Sequence, residues 1–73
     1  MMTDMHVRVD QEVCEESRTA LRTFLGGLAG VESIAVDRAD IGIRYDERTI
    51  SDGRIFAMTR SAAEMLGYHL ASA

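Results

Sequence analysis

Seventy-three residues make one small domain, with no room for a second core. An apolar content of 47% argues against disorder, and a net charge of -4 without a basic run argues against nucleic-acid or anionic-membrane binding. No apolar stretch is long enough to span a bilayer, no signal peptide is visible, and a single cysteine makes no internal disulfide; the expectation is a cytoplasmic domain, or a cytoplasmic piece of something larger.

Residues 1–4 read as a tail. Residues 5–10 read as a strand, with Val7 and Val9 on one buried face and His6 on the other. Residues 11–17 are polar apart from Val13 and Cys14 and read as a loop feeding a helix, whose first turn suits Glu15 and Glu16. Leu21, Phe24, Leu25 and Leu28 then follow at i, i+3, i+4 and i+7, one apolar stripe with Arg18 and Arg22 turned away. Gly26 and Gly27 weaken the last turn, and Gly30 is placed to end the helix in a left-handed conformation.

Val31, Ile34 and Val36 predict a strand over 31–37. Arg38-Ala39-Asp40 reads as a hairpin turn, and Ile41, Ile43 and Tyr45 alternate in a third strand. Ser51 is the N-cap expected for a second helix running to Leu66, with Ile50 stapled against Ile55. Its buried stripe is expected to be Ile55, Phe56, Thr59, Ala62, Ala63 and Leu66. Gly67 ends it, and Tyr68-His69-Leu70 is just long enough for a closing strand. The order is β-α-β-β-α-β, which predicts an α+β, ferredoxin-like domain over residues 5–71: a four-stranded antiparallel sheet with two helices on one face. Its core is expected to rest on Phe24, Leu25, Leu28, Ile34, Val36, Ile43 and Leu66.

Cys14 stands where the first strand hands over to the first helix. The positive end of a helix dipole favours thiolate there, while Glu12, Glu15 and Glu16 oppose it. Thiolate is the form that binds soft metals. No general acid/base pair, phosphate loop or nucleophile triad is found, and no histidine or lysine lies near the thiol to activate it, so the chain reads as a binding module and not an enzyme.

From Cys14 onward the pattern resembles the heavy-metal-associated domain family, the copper-chaperone-like modules also found at the N-termini of metal-pumping P-type ATPases. Cys14 stands at the first cysteine of that family's Cys-x-x-Cys loop. Leu21, Leu25 and Leu28 stand at its helix positions and are followed by Gly30-Val31. Ile43-Arg44-Tyr45-Asp46 matches the end of the third strand, and Gly67-Tyr68 the last loop. Three features depart from the family: Gln11-Glu12-Val13 replaces Gly-Met-Thr, Ser17 replaces the second cysteine, and no proline follows Asp46.

The resemblance implies one bound ion, Cu(I) or Zn(II)/Cd(II), held by Cys14. Ser17 would be a hard, weakly donating second ligand, Glu12 an oxygen donor that tilts the site toward Zn(II), and Tyr68 a neighbour supporting the loop from behind. Met5 and the other N-terminal methionines, Glu15, Glu16 and His69 are further donors in reach of the pattern, and a second molecule's Cys14 would give a metal-bridged dimer in place of a monomer. The partners implied are the ion itself and a metal-transporting ATPase or similar domain, with no nucleic acid and no membrane insertion. The alternative is a module of the same fold that has lost its metal and binds a protein partner.

Overall fold

The computed structural model describes residues 1–71. Its elements are β1 (Met2–Arg8), α1 (Glu15–Gly26), β2 (Val31–Asp37), β3 (Asp40–Asp46) and α2 (Asp52–Met65). The sheet runs β1-β3-β2, with both neighbours of β3 antiparallel to it. The register explains the core. Met5, Ile43 and Ile34 form one cross-strand row, and Val7, Ile41 and Val36 form the next. Alternation puts all six on the face that the helices cover, where α1 packs on β2 and α2 on β1.

Two strand expectations need correction. Met2–Asp4 is not a tail: it pairs with Arg44–Asp46 along the far half of β3. Backbone bonding makes this pairing, which is why the exposed or half-buried Met2, Thr3 and Asp4 gave no apolar signal. The closing strand predicted at Tyr68–Leu70, and with it the fourth strand of the sheet, shrinks to a single antiparallel bridge between Val9 and Leu70. Two hydrogen bonds flank it, Asp10 N–H to the His69 carbonyl at 2.8 Å and Ala71 N–H to the Arg8 carbonyl at 2.9 Å. Because β1 ends at Arg8, it leaves almost no ladder for this segment to extend.

The helices are shorter and their buried faces narrower than the sequence suggests. α1 stops at Gly26, with Gly27 as a right-handed cap, so Leu28 lies beyond the helix and only part-buries against the core. Gly30 does adopt the left-handed region, φ 96°, but in the turn that starts β2. An added Cβ there would stand 2.8 Å from Ile50 Cγ2, so glycine is required sterically as well as torsionally. On α1 only Ser17, Leu21 and Leu25 are buried, and on α2 only Ile55, Thr59, Ala62 and Ala63. Phe24, Phe56 and Leu66, all expected inside, are 47%, 42% and 38% exposed. A strip from each helix suffices to cover this sheet, and Val9, Val13, Tyr45 and Tyr68 complete the core in their place. Ser51 caps α2 as expected, its Oγ accepting from Arg54 N–H at 3.2 Å.

Candidate metal centre

The loop that carries Cys14 is held at both ends before the cysteine is reached. Val9 and Val13 are buried, and their N–H groups donate to the Ala39 and Arg38 carbonyls, each at 2.9 Å. The β2–β3 hairpin thus serves as the floor of the loop. Arg38 sits at φ 57° there, a left-handed turn position uncommon for a side-chain-bearing residue. Nothing in the sequence marks Arg38 as part of the site, because its contribution is a backbone carbonyl.

Cys14 is itself the N-cap of α1, extended at φ -73° and ψ 166°, with no side chain capping the helix. The amides of the first turn are therefore free to face its sulfur. The exposed thiol lies 3.4 Å from Ser17 Oγ. Together these pull the thiol from 9.0 down to about 7: the Ser17 hydroxyl most, then the Ser17 N–H, then the Tyr68 hydroxyl, with the Glu16 N–H assisting and partial desolvation opposing. The carboxylates of the neighbouring glutamates are not among the causes, so hydrogen bonding at the helix start sets its acidity.

The structure brings Tyr68 and Ser17 to Cys14 and leaves the other candidate donors apart. Tyr68 is buried and its hydroxyl accepts from the Cys14 N–H at 3.0 Å, so it holds the loop and polarises the sulfur. Ser17 is buried beneath the thiol. Glu12, Glu15 and Glu16 are exposed, and among the described residues no three His, Cys, Asp or Glu side chains converge. Met5 belongs to the inward row of β1 beside Ile43, while Met2 pairs with Asp46 at the opposite end of β3 from the hairpin. The His6 ring bonds Asp40 at 2.8 Å. His69 borders the loop, its N–H donating to Asp10 Oδ1 at 3.1 Å.

No family model matches the sequence, and no curated protein matches it. Solved structures do. CopZ metallochaperone superposes with a TM-score of 0.75 at 20% identity, over 94% of this chain and 100% of the other. Oxidized MerP from Ralstonia metallidurans CH34 gives 0.70 at 14%, over 97% and 96%. The N-terminal soluble domains of Bacillus subtilis CopA give 0.71 at 21%, over 96% of this chain and 46% of that one. The fold is that of the heavy-metal-associated domains. At such identities the likeness is one of architecture alone. On this fold the chain carries one acidified thiol with a serine hydroxyl beneath it. No helix of the described residues is long and apolar enough to cross a membrane.

Proposed function

We propose that the chain is a cytoplasmic heavy-metal carrier or regulatory module that binds a thiophilic ion, Cu(I) before Zn(II) or Cd(II), through Cys14 and hands it on by ligand exchange. The observation that carries this is the exposed Cys14 thiol, held at about 7 at the start of α1, so that about half is thiolate at neutral pH. A fold shared with a metallochaperone supports the same reading. The donor chemistry favours Cu(I): the only strong ligand is one soft sulfur, and Ser17 adds a neutral hydroxyl. Glu12, exposed two residues before Cys14, is the oxygen donor that would tilt the site toward Zn(II). The second ligand then comes from outside the chain, and the natural candidate is a thiolate on a docked domain of a metal transporter.

The test is a competition titration with Cu(I) and with Zn(II) on the reduced chain and on Cys14→Ala. Tight binding lost in the variant is the expected result. Ligand excess of 100 times the dissociation constant should also add ~2.7 kcal/mol of stability to the parent chain alone. Binding no better than that of Cys14→Ala for both ions would remove the metal from the account. A module that binds a protein partner without metal is the second reading, favoured by Ser17 in place of a thiolate.

A further inference from the structure

We propose that the free edge of β2 is a self-association surface, on which two copies of this chain pair β2 with β2, antiparallel about a two-fold axis, into one continuous sheet. The proposal does not depend on the metal reading.

β2 stands at one side of the sheet, with β3 next to it and no strand beyond it among the described residues. Hydrogen bonds around β3 fix which backbone groups of β2 are left over. Just before β3, the Ala39 carbonyl accepts from Val9 N–H on the β1 side; at its end, the Asp46 N–H donates to the Gly30 carbonyl on the β2 side. A strand residue sends its N–H and C=O the same way, and its neighbours send theirs the other way. Asp40, Gly42 and Arg44 therefore bond across to Asp37, Ala35 and Ser33, their partners in register. That leaves the N–H and C=O of Ile34 and Val36 pointing outward.

The side chains point the same way. Ile41, Ile43 and Tyr45 on β3 are buried, whereas Val31, Ile34 and Val36 on β2 are half-buried. Protected edges carry lysine, proline or an inward charge. Here Glu32 sits at the irregularity between Val31 and Ser33 and turns to Arg44, 3.1 Å away. Residues Ser33, Ile34, Ala35 and Val36, which follow it, have neither charge nor proline.

Register selects a second copy as the occupant. With Ile34 opposite Val36 of the second copy, each such pair exchanges both hydrogen bonds and sets one β-branched side chain against another. The axis then passes between the two Ala35 residues, which are small enough for the close approach of a non-hydrogen-bonded pair. Ser33 falls opposite Asp37, a hydroxyl facing a carboxylate, and Glu32 falls toward Arg38 on the hairpin, its opposite in charge. Sliding the copies until Val36 meets Val36 would set Glu32 toward Asp40. Sliding them until Ile34 meets Ile34 would set Glu32 on Val36. The first register alone matches charge and apolar surface together.

The experiment is sedimentation equilibrium with amide chemical shifts on the reduced, metal-free chain, with chelator present, from about 0.02 to about 2 mM. So short a ladder makes a small interface, and a dissociation constant on the order of 0.1–1 mM is expected. The mass should rise toward twice that of the monomer, the amides of Ile34 and Val36 should shift most, and Cys14→Ala should behave as the parent does. Ser33→Lys should tighten the pair and Ser33→Asp loosen it, each about threefold or more, since both face Asp37 of the second copy. Ala35→Lys, which opposes two like charges across the axis, should weaken it at least about tenfold. Ser33 and Ala35 are exposed, so these substitutions leave the core alone. A monomer at every concentration would leave the edge to some other strand and overturn the proposal. So would shifts confined to the helices, association lost in Cys14→Ala, or equal association of the two Ser33 variants.

Discussion

Replacing Ser17 with alanine isolates the chemistry of the thiol from the fold around it. The Ser17 hydroxyl is the largest of the influences that lower the Cys14 pKa to about 7, while the Ser17 N–H, the Tyr68 hydroxyl and the Glu16 N–H survive the substitution. The thiol should therefore rise part of the way back toward 9.0. At pH 7 a thiol at about 7 is about half ionised, and one at 9.0 about one part in a hundred. A rise of about one unit would leave about a tenth as thiolate. The alkylation rate at one pH understates this loss, since a thiolate of higher pKa is a better nucleophile. The readout is the midpoint of the thiolate absorbance or of the alkylation rate against pH. A midpoint unmoved in Ser17→Ala would refute the assignment of acidity to the hydroxyl and shift it to the helix amides. The linked stability effect has a definite sign. A thiol depressed by folding stabilises the native state fully above its unfolded value of 9.0, and that contribution fades as pH falls and is gone below about 7. Serine-to-alanine should narrow this window from its lower edge.

Ser17→Cys should supply the second soft donor from within the chain, raising Cu(I) affinity and removing its dependence on an added thiol; equal affinity with and without glutathione in both forms would contradict this. Thr59 is fully buried and its hydroxyl has no hydrogen-bond partner, so Thr59→Val should stabilise the domain by ~1–2 kcal/mol in urea unfolding, and a loss instead would mean that the hydroxyl is satisfied. Leu25→Ala should cost ~2–5 kcal/mol and Phe24→Ala less than ~1, because only the former is enclosed; equal losses would place Phe24 in the core. Gly30→Ala should destabilise by ~1–3 kcal/mol, since the residue is left-handed and crowded by Ile50 and Thr49, whereas Gly26→Ala, in the last turn of α1 with open space around it, should gain ~0.5–1 kcal/mol.

The sequence carries the periodic elements well because burial writes them directly. Val31–Asp37, the alternation of Ile41, Ile43 and Tyr45, and the Ser51 cap are all found where side-chain pattern and capping chemistry put them. What it does not carry is backbone pairing. Met2–Asp4 joins the sheet through hydrogen bonds that leave no trace in its side chains, and the last segment looks like a strand but has a single residue to pair with. Helix stripes mislead for another reason: Leu21 and Phe24 are neighbours on α1, yet only one points at the sheet, and the angle depends on packing. At the site, Cys14 is legible from its place at a helix start, and Ser17 enters through the family resemblance. Tyr68 is brought to the cysteine by the family resemblance, and its bond to a backbone amide by the structure alone. Arg38, acting through a carbonyl, was beyond reach.

The bond between the Tyr68 hydroxyl and the Cys14 amide ties the thiol to the segment that follows α2. Beyond α2, residues 68–71 are held to the sheet by one bridge and a few hydrogen bonds at Arg8, Asp10 and Cys14. Opening of this segment withdraws the buried Tyr68 ring yet leaves β1, β3 and β2 paired, so it costs less than global unfolding. When it lifts, the cysteine loses an N–H partner and a donor to its sulfur in the same event, so its acidity follows the closed population. Amide exchange at Asp10, Cys14 and Ala71 should then proceed as one cooperative unit, faster than in β3, and any ligand that grips the thiolate should slow all three together.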